Sequence, residues 1–217
     1  MSTAVACPDK FRGTLSASQA AAAISRGLVR SGYSQVSEVP LADGGEGTLE
    51  ALLAKGSASW RTSQVTGPLG DPVDAAWGSL ANGTAVIESA RASGLALVGP
   101  RNDPLRATSR GTGELIAAAA RAGARRILVA VGGSAMTDGG LGAVTALGWS
   151  LAGLQVTVAC DVDVPFLEAA RVFGPQKGAT AAQVALLTRR LERLAEVYWD
   201  RTGVDVTGLA RSGAAGG

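Results

Sequence analysis

The stretch Arg126-Ile127-Leu128-Val129-Ala130-Val131 runs without a break into Gly132-Gly133-Ser134-Ala135-Met136-Thr137-Asp138-Gly139-Gly140. The first six residues form the short aliphatic run expected of a strand buried on both faces. The glycine loop then leads into small residues, Leu141-Gly142-Ala143-Val144, that suit a helix packed closely against a sheet. Strand, glycine loop, helix is one βα unit of an open α/β sheet. In such sheets ligands bind beyond the carboxyl ends of the strands.

Toward the N-terminus the same unit recurs. Ala4 to Cys7 reads as a short strand. Ser16-Ala17-Ser18-Gln19 has the S-x-x-Q capping-box form and opens an alanine-rich helix that should stop at Gly32. Val36 to Leu41 is a second strand, followed by the loop Ala42-Asp43-Gly44-Gly45-Glu46-Gly47 and a helix from Thr48 to Lys55, stopped by Gly56. The texture changes over 58–90, where Gly67-Pro68 and Asp71-Pro72 interrupt β-formers. Asn82-Gly83 between Trp77–Leu80 and Ala85–Ile87 predicts a hairpin. Arg91 to Asp103 reads as a loop or hinge, and Thr112 to Ala122 as a helix ended by Gly123.

On the C-terminal side, Gln155 to Cys160 alternates as a strand and ends in Asp161-Val162-Asp163. Thr180-Ala181-Ala182-Gln183 is a second capping box. The helix it opens carries Val184, Leu187, Leu191, Leu194 and Tyr198 on one face, with Arg189, Arg190, Glu192 and Arg193 on the solvated face. The whole predicts an α/β protein with an open, mostly parallel sheet.

Composition narrows the chemistry. With no histidine among 217 residues, a Ser-His-Asp relay, an imidazole zinc ligand and a histidine base are all excluded. Two distant cysteines, Cys7 and Cys160, give neither a zinc knuckle nor a disulfide framework, and both read as buried small hydrophobes at strand ends. A net charge of +2 with no basic run gives no reason to expect a nucleic-acid partner. The N-terminus lacks a basic region ahead of an apolar one, so no signal peptide is expected. Gly139 to Cys160 is uncharged and long enough to span a bilayer, but five glycines and several polar residues argue against a membrane helix. A soluble, cytoplasmic protein is the expectation.

The candidate functional residues lie just after the predicted strands. They are Asp9-Lys10, Asp43 through Thr48, Gly132 to Gly140, and Asp161 with Asp163. Glycines let successive N–H groups converge on an anion, and the following helix adds its positive end. Carboxylates beside such a loop make sense when a cation arrives with the anion, as Mg²⁺ does with phosphate. A lone Asp-Gly-Gly is most often a turn; two such loops, both strand-to-helix, favour a site. Gly174-Pro175-Gln176-Lys177-Gly178 reads equally as an interhelical turn or as a phosphate contact through Lys177. There is no G-x-x-x-x-G-K-[ST], no G-x-G-x-x-G after the first strand, and neither H-R-D nor D-F-G. The residues alone point to an α/β enzyme that handles phosphate and metal.

Six motifs occur in order: Asp9-Lys10-Phe11-Arg12-Gly13, Leu41 through Thr48, Gly111-Thr112-Gly113-Glu114-Leu115-Ile116, Gly132 through Gly140, Ala159-Cys160-Asp161-Val162-Asp163, and Phe173-Gly174-Pro175-Gln176-Lys177-Gly178-Ala179. Together they resemble the bacterial glycerate kinases, of the branch that phosphorylates D-glycerate at the 2-hydroxyl using ATP. The resemblance implies two α/β domains, residues 1–66 and 67–217, the open sheet having helices on both faces, with the active site in the cleft between the domains and the first domain completed by C-terminal chain. It also implies ATP and Mg²⁺ as cofactors and D-glycerate as substrate, and it leaves a homodimer open.

Under that resemblance Gly132, Gly133, Ser134, Asp138, Gly139 and Gly140 cradle phosphate. Asp161 and Asp163 hold Mg²⁺, or one of them acts as general base. Asp43 with Gly44, Gly45, Glu46, Gly47 and Thr48 forms the opposite wall. Lys10 and Arg12 neutralise the glycerate carboxylate or the migrating phosphoryl group, Arg91 is a further carboxylate candidate, and Lys177 a further phosphate candidate. The chain departs from the family pattern by being shorter between Trp149 and Gln155 and by stopping at Ser212-Gly213-Ala214-Ala215-Gly216-Gly217, which resembles the start of another glycine-rich motif. The competing readings are a non-catalytic binding module for a small phosphorylated acid, an inactive fragment of the kinase, or a nicotinamide-dependent oxidoreductase. The missing dinucleotide fingerprint disfavours the last.

Overall fold

The computed structural model describes residues 2–11, 14–53 and 58–217. Among these residues seven strands form two sheets. The first is a parallel pair, β1 (Thr3–Ala6) and β2 (Gln35–Glu38), connected by α1 (Ala17–Arg30). Both halves of the predicted capping box are made. Gln19 N–H donates to Ser16 Oγ at 3.2 Å, and Ser16 N–H to Gln19 Oε1 at 2.9 Å. The helix ends at Arg30, and Gly32 takes a left-handed φ of 96° just beyond it. β2 is shorter than the sequence suggested.

The second sheet has the order β3-β4-β5-β6-β7: β3 (Ser59–Thr66), β4 (Pro72–Ser79), β5 (Thr84–Glu88), β6 (Arg126–Ala130) and β7 (Gln155–Ala159). Its first three strands are antiparallel and its last three parallel. The Asn82-Gly83 turn closes β4 on β5 as expected: Leu80 N–H donates to Thr84 O at 2.9 Å, and Thr84 N–H to Asn82 Oδ1 at 3.0 Å. By sheet membership the changeover between the two units falls before Ser59, ahead of the expected boundary at residue 66. β3 pairs with β4 over its whole length, so residues 59–66 belong to the larger sheet.

Period-two alternation buries both faces of the central strands. Ala85, Ile87, Ile127 and Val129 join the main core with Trp77, Leu115, Ile116 and Ala119. That core is capped by α4 (Arg110–Arg121), which also packs on α5 (Leu141–Ala146). On the opposite face Val86 meets Leu49 and Leu53 of α2 (Thr48–Leu53). The helix that leaves the Asp43–Gly47 loop therefore packs against the second sheet, carrying that loop to the junction of the two units. The expected stop at Lys55-Gly56 lies outside the described residues.

Arg91 to Asp103 is more ordered than a loop. It holds α3 (Ala90–Ser93) and two 3-10 turns, with Ala92 and Ser93 buried. After β7 come α6 (Ala169–Phe173) and the long α7 (Ala181–Thr202). The Thr180/Gln183 capping box is made, and Leu187, Leu191, Leu194 and Tyr198 form a separate core with Phe166, Ala169 and Ala170. Among the described residues no helix is long and apolar enough to cross a membrane. Cys7 is exposed and Cys160 half-buried, a correction to the expectation of burial. Cys7 follows a strand in a two-stranded sheet, where Val5 is also exposed, so one face has nothing to cover it.

Candidate active site

Three chain segments meet backbone to backbone where strands end. Gly132 N–H, just past β6, donates to Gly44 O at 3.0 Å, and Val131 N–H donates to Ala159 O at 3.3 Å. The approach demands glycine. A Cβ on Gly132 would lie 2.6 Å from Gly45 Cα, and one on Gly44, whose φ is 87°, would lie 2.7 Å from Ala159 O. The loops after β2, β6 and β7 are thus one junction, as the rule for strand carboxyl ends predicts.

Beside it stands the Lys10–Asp43 pair. Lys10 Nζ lies 2.9 Å from both carboxylate oxygens of Asp43 and 3.4 Å from Asp9 Oδ2. Asp43 Oδ1 also accepts from Gly45 N–H at 2.7 Å, an Asx turn that shapes the glycine loop. Partial burial pulls the Lys10 ammonium down, but the hydrogen bonds and charges of Asp43 and Asp9 outweigh it and leave Lys10 raised. Burial likewise pushes Asp43 up, but Lys10 and the Gly45 N–H hold it below the usual carboxylate range. Both groups are charged at neutral pH. Thr48 Oγ1 is engaged within the loop, donating to Gly45 O at 2.7 Å.

A cleft of about 420 Å³ opens from this pair, lined by Asp9, Lys10, Glu46, Gly47, Glu50 and Arg91, with the start of α1 on its far side. The volume suits a small organic ligand. Arg91 is already committed. Its Nε donates to Glu88 Oε2 at 2.8 Å, it pairs with Glu50, and its guanidinium lies 5.6 Å from the Trp60 ring centroid. Burial lowers the Arg91 pKa, but Glu50 and Glu88 more than compensate and raise it. Glu88, 1% exposed, also accepts from Leu49 N–H at 2.7 Å, locking α2 to the end of β5. Glu88 sits at a strand's carboxyl end like Asp43 and Asp161, so the same positional rule applied to Ile87-Glu88-Ser89 would have singled it out. The sequence reading passed over it.

The structure divides the other candidates. Of the glycine loop, Gly132 is the residue that meets the junction, while Ser134 Oγ donates to Ala215 O at 2.6 Å. Asp138 turns away from it, accepting from Ser109 N–H and Oγ, both at 2.8 Å, and from the amides of Gly140 and Gly142, each at 3.2 Å. It ties the start of α4 to that of α5. Gly139 and Gly140 pack toward α7, where Tyr198 Oη donates to Gly139 O at 2.7 Å. Burial and the Asp138 charge push Tyr198 up to about 12. Lys177 is 3% exposed, and its ammonium is spent on Ser134 Oγ, Met136 O and Ala215 O. Arg12 lies outside the described residues.

Asp161 and Asp163 are exposed past the end of β7, and among the described residues neither accepts a hydrogen bond or joins an ion pair. Nor do the described residues gather three or more His, Cys, Asp or Glu side chains at one point. This donor set fits a cation that takes one or two carboxylates and completes its shell with phosphate oxygens and water, which is the habit of Mg²⁺.

Fold and site define an α/β protein whose glycine loops converge at strand ends beside a lysine and several carboxylates. The chain belongs to the glycerate kinase family, whose profile matches residues 4–153 and 149–217. It is 43% identical over 250 residues to the glycerate 2-kinase of Escherichia coli K12 and 41% identical over 250 residues to the glycerate kinase of Bacillus subtilis 168. Each match covers 98% of this chain and 65% of the relative, so the chain spans just under two thirds of their length. A crystal structure of a candidate glycerate kinase 2 from Salmonella typhimurium LT2 superposes with a TM-score of 0.86 at 38% identity, covering all of this chain and 67% of that one. The family profile matches in two pieces that meet at 149–153, and the relatives align over more residues than this chain has. The internal shortening expected between Trp149 and Gln155 is present.

Proposed function

We propose that this protein phosphorylates D-glycerate from ATP at the 2-hydroxyl, in the cytoplasm. The observation that carries the reading is the junction of Gly44, Gly132 and the end of β7 beside the Lys10–Asp43 pair, in a chain of the glycerate kinase family. Phosphoryl transfer needs positioning and charge neutralisation more than covalent help from the protein. The glycine loop at Gly132 to Ser134 turns its backbone toward the phosphate, while the Asp43–Thr48 loop forms the opposing wall. Lys10, anchored by Asp43, meets the glycerate carboxylate or the migrating phosphoryl group, and Arg12 shares that role. Arg91 offers the carboxylate only the part of its charge that Glu50 and Glu88 leave over.

Asp161 or Asp163 accepts the proton of the 2-hydroxyl as that oxygen bonds to the γ-phosphorus. The bond from phosphorus to the β–γ bridging oxygen breaks, and ADP leaves. The other aspartate would hold Mg²⁺, which would supply charge neutralisation at the phosphate oxygens. Both substrates are anions, and a cation would offset their mutual repulsion.

The test is ADP release with D-glycerate, ATP and Mg²⁺, followed by identification of the phosphoglycerate isomer. Glycerate-dependent ADP with 2-phosphoglycerate as product is the expected result. ATP and glycerate binding without turnover would instead favour a binding module. Asp161→Asn with near-wild-type kcat would remove Asp161 from the mechanism.

A further inference from the structure

Lys177 is a buried cation with no carboxylate in ion-pair contact among the described residues. Such groups are rare, because an ammonium taken out of water must recover its lost hydration from fixed acceptors. Here those acceptors belong to two different segments. Nζ donates to Ser134 Oγ at 2.9 Å and to Met136 O on the glycine loop, and to Ala215 O at 2.8 Å on the turn Gly213–Gly217. Ser134 Oγ in turn donates to Ala215 O at 2.6 Å. The turn is pressed against the loop. Gly139 N–H donates to Gly216 O at 3.2 Å, and a Cβ on Gly216 would lie 2.5 Å from Met136 O and 2.9 Å from Lys177 Nζ.

The lysine itself is held from behind. Asn102 Nδ2 donates to Lys177 O at 2.8 Å and to Ala135 O at 3.1 Å, and the Phe173 ring centroid lies 5.9 Å from Nζ. Of the titratable side chains, Asp138 is the one whose charge is felt at Nζ.

We propose that Lys177 is a positioning residue: its Nζ clamps the Gly213–Gly217 turn onto the Gly132–Gly140 loop and fixes Ser134 Oγ, without itself touching the transferred phosphate. The kinetic half of this inference rests on the function proposed above; the clamp does not. Ser134 is the link between the two. With its proton on Ala215 O and a lone pair taken by Nζ, the hydroxyl is held still, and the loop that begins at Gly132 is held with it.

The experiment compares wild type with Lys177→Met and, because the first variant could fail to fold, Ser134→Ala. Amide hydrogen exchange is measured first, on the full chain without any ligand. At least about tenfold faster exchange at Gly139 and across 213–217 is expected, with β5 and β6 unchanged. Unchanged exchange in both segments overturns the clamp. Because no phosphate is present, a direct phosphate contact cannot produce the expected result. Kinetics follow: a loss in kcat on the order of 10²-fold, with the KM for ATP within about threefold, supports positioning. A raised KM for ATP with kcat intact overturns it in favour of direct contact. If wild type shows no glycerate-dependent turnover, the proposed function fails, and the exchange data still decide the clamp.

Discussion

Lys10 and Asp43, thirty-three residues apart in sequence, meet with the ammonium 2.9 Å from both carboxylate oxygens at the mouth of the cleft. The pair joins the loop after β1 to the loop after β2, so each loop sets the position of the other. It is half-exposed, and its contribution to stability is correspondingly modest. Its importance lies in aim: without Asp43, the carboxylate left near Lys10 among the described residues is Asp9, at 3.4 Å.

Asp43→Asn should therefore lower kcat strongly, by about 10²-fold or more, while leaving the fold intact. ADP release at saturating substrate and circular dichroism of the same sample check both halves. A kcat near wild type would show that Lys10 does not need its partner.

Gly132→Ala tests the backbone junction. The added methyl would sit 2.6 Å from Gly45 Cα, and no flexible side chain can move aside to admit it. The two loops must part, at a cost of about 1–3 kcal/mol. Urea unfolding should show that loss, together with reduced turnover. An unchanged midpoint would mean that the junction yields more easily than backbone packing allows.

Glu88→Gln probes the buried carboxylate that holds α2 and Arg91. The amide can still accept from Leu49 N–H, but it leaves the half-buried guanidinium with Glu50 alone. A loss of about 1–3 kcal/mol is expected. A freed Arg91 should also change the KM for glycerate more than the KM for ATP if it faces the substrate carboxylate.

Stability should rise with pH between about 7 and 9.5 on account of Lys177. Burial, opposed by the Asp138 charge, lowers this amine to about 7 in the folded state, against about 10.4 when unfolded. Between those values the unfolded chain binds the extra proton, so raising the pH favours the fold. Tyr198 acts in the opposite sense: its folded value is raised to about 12, so it erodes stability only above about 10. Lys10, also raised, keeps its contribution below about 10.4 and loses it above. Asp43, held low, keeps its contribution above about pH 4 and loses it in acid. Urea midpoints at pH 7 and 9.5, for wild type and Lys177→Met, isolate the lysine: the rise should vanish in the variant.

What could be read in the sequence was local. Ser16-x-x-Gln19 and Thr180-x-x-Gln183 both form their capping boxes, Asn82-Gly83 makes its hairpin, and the 126–131 run is a strand buried on two faces. These depend on neighbours a few residues away. The direction in which a long glycine loop faces depends on distant partners. Gly139 is turned inward by Tyr198 on α7, and Ser134 by Lys177 and Ala215. The sequence therefore suggests one cradle for Gly132, Asp138, Gly139 and Gly140, with Lys177 as a separate phosphate candidate, whereas packing turns Asp138, Gly139 and Gly140 away from Gly132 and engages Lys177 with the 213–217 turn. The pairing of β3 with β4 is hard to read for a related reason. As an edge strand exposed over most of its length, it carries little alternation to announce its pairing with β4.

The two-stranded β1–β2 sheet has a consequence for how this protein would come apart. Two strands are marginal by themselves, and Val5 and Val29 stand in water. The larger sheet and its helices hold most of the buried core. Melting should accordingly proceed in two stages, with residues 2–41 released at a lower temperature than the rest. A molecule bound across both walls of the cleft stitches the weaker body to the stronger and merges the two stages into one.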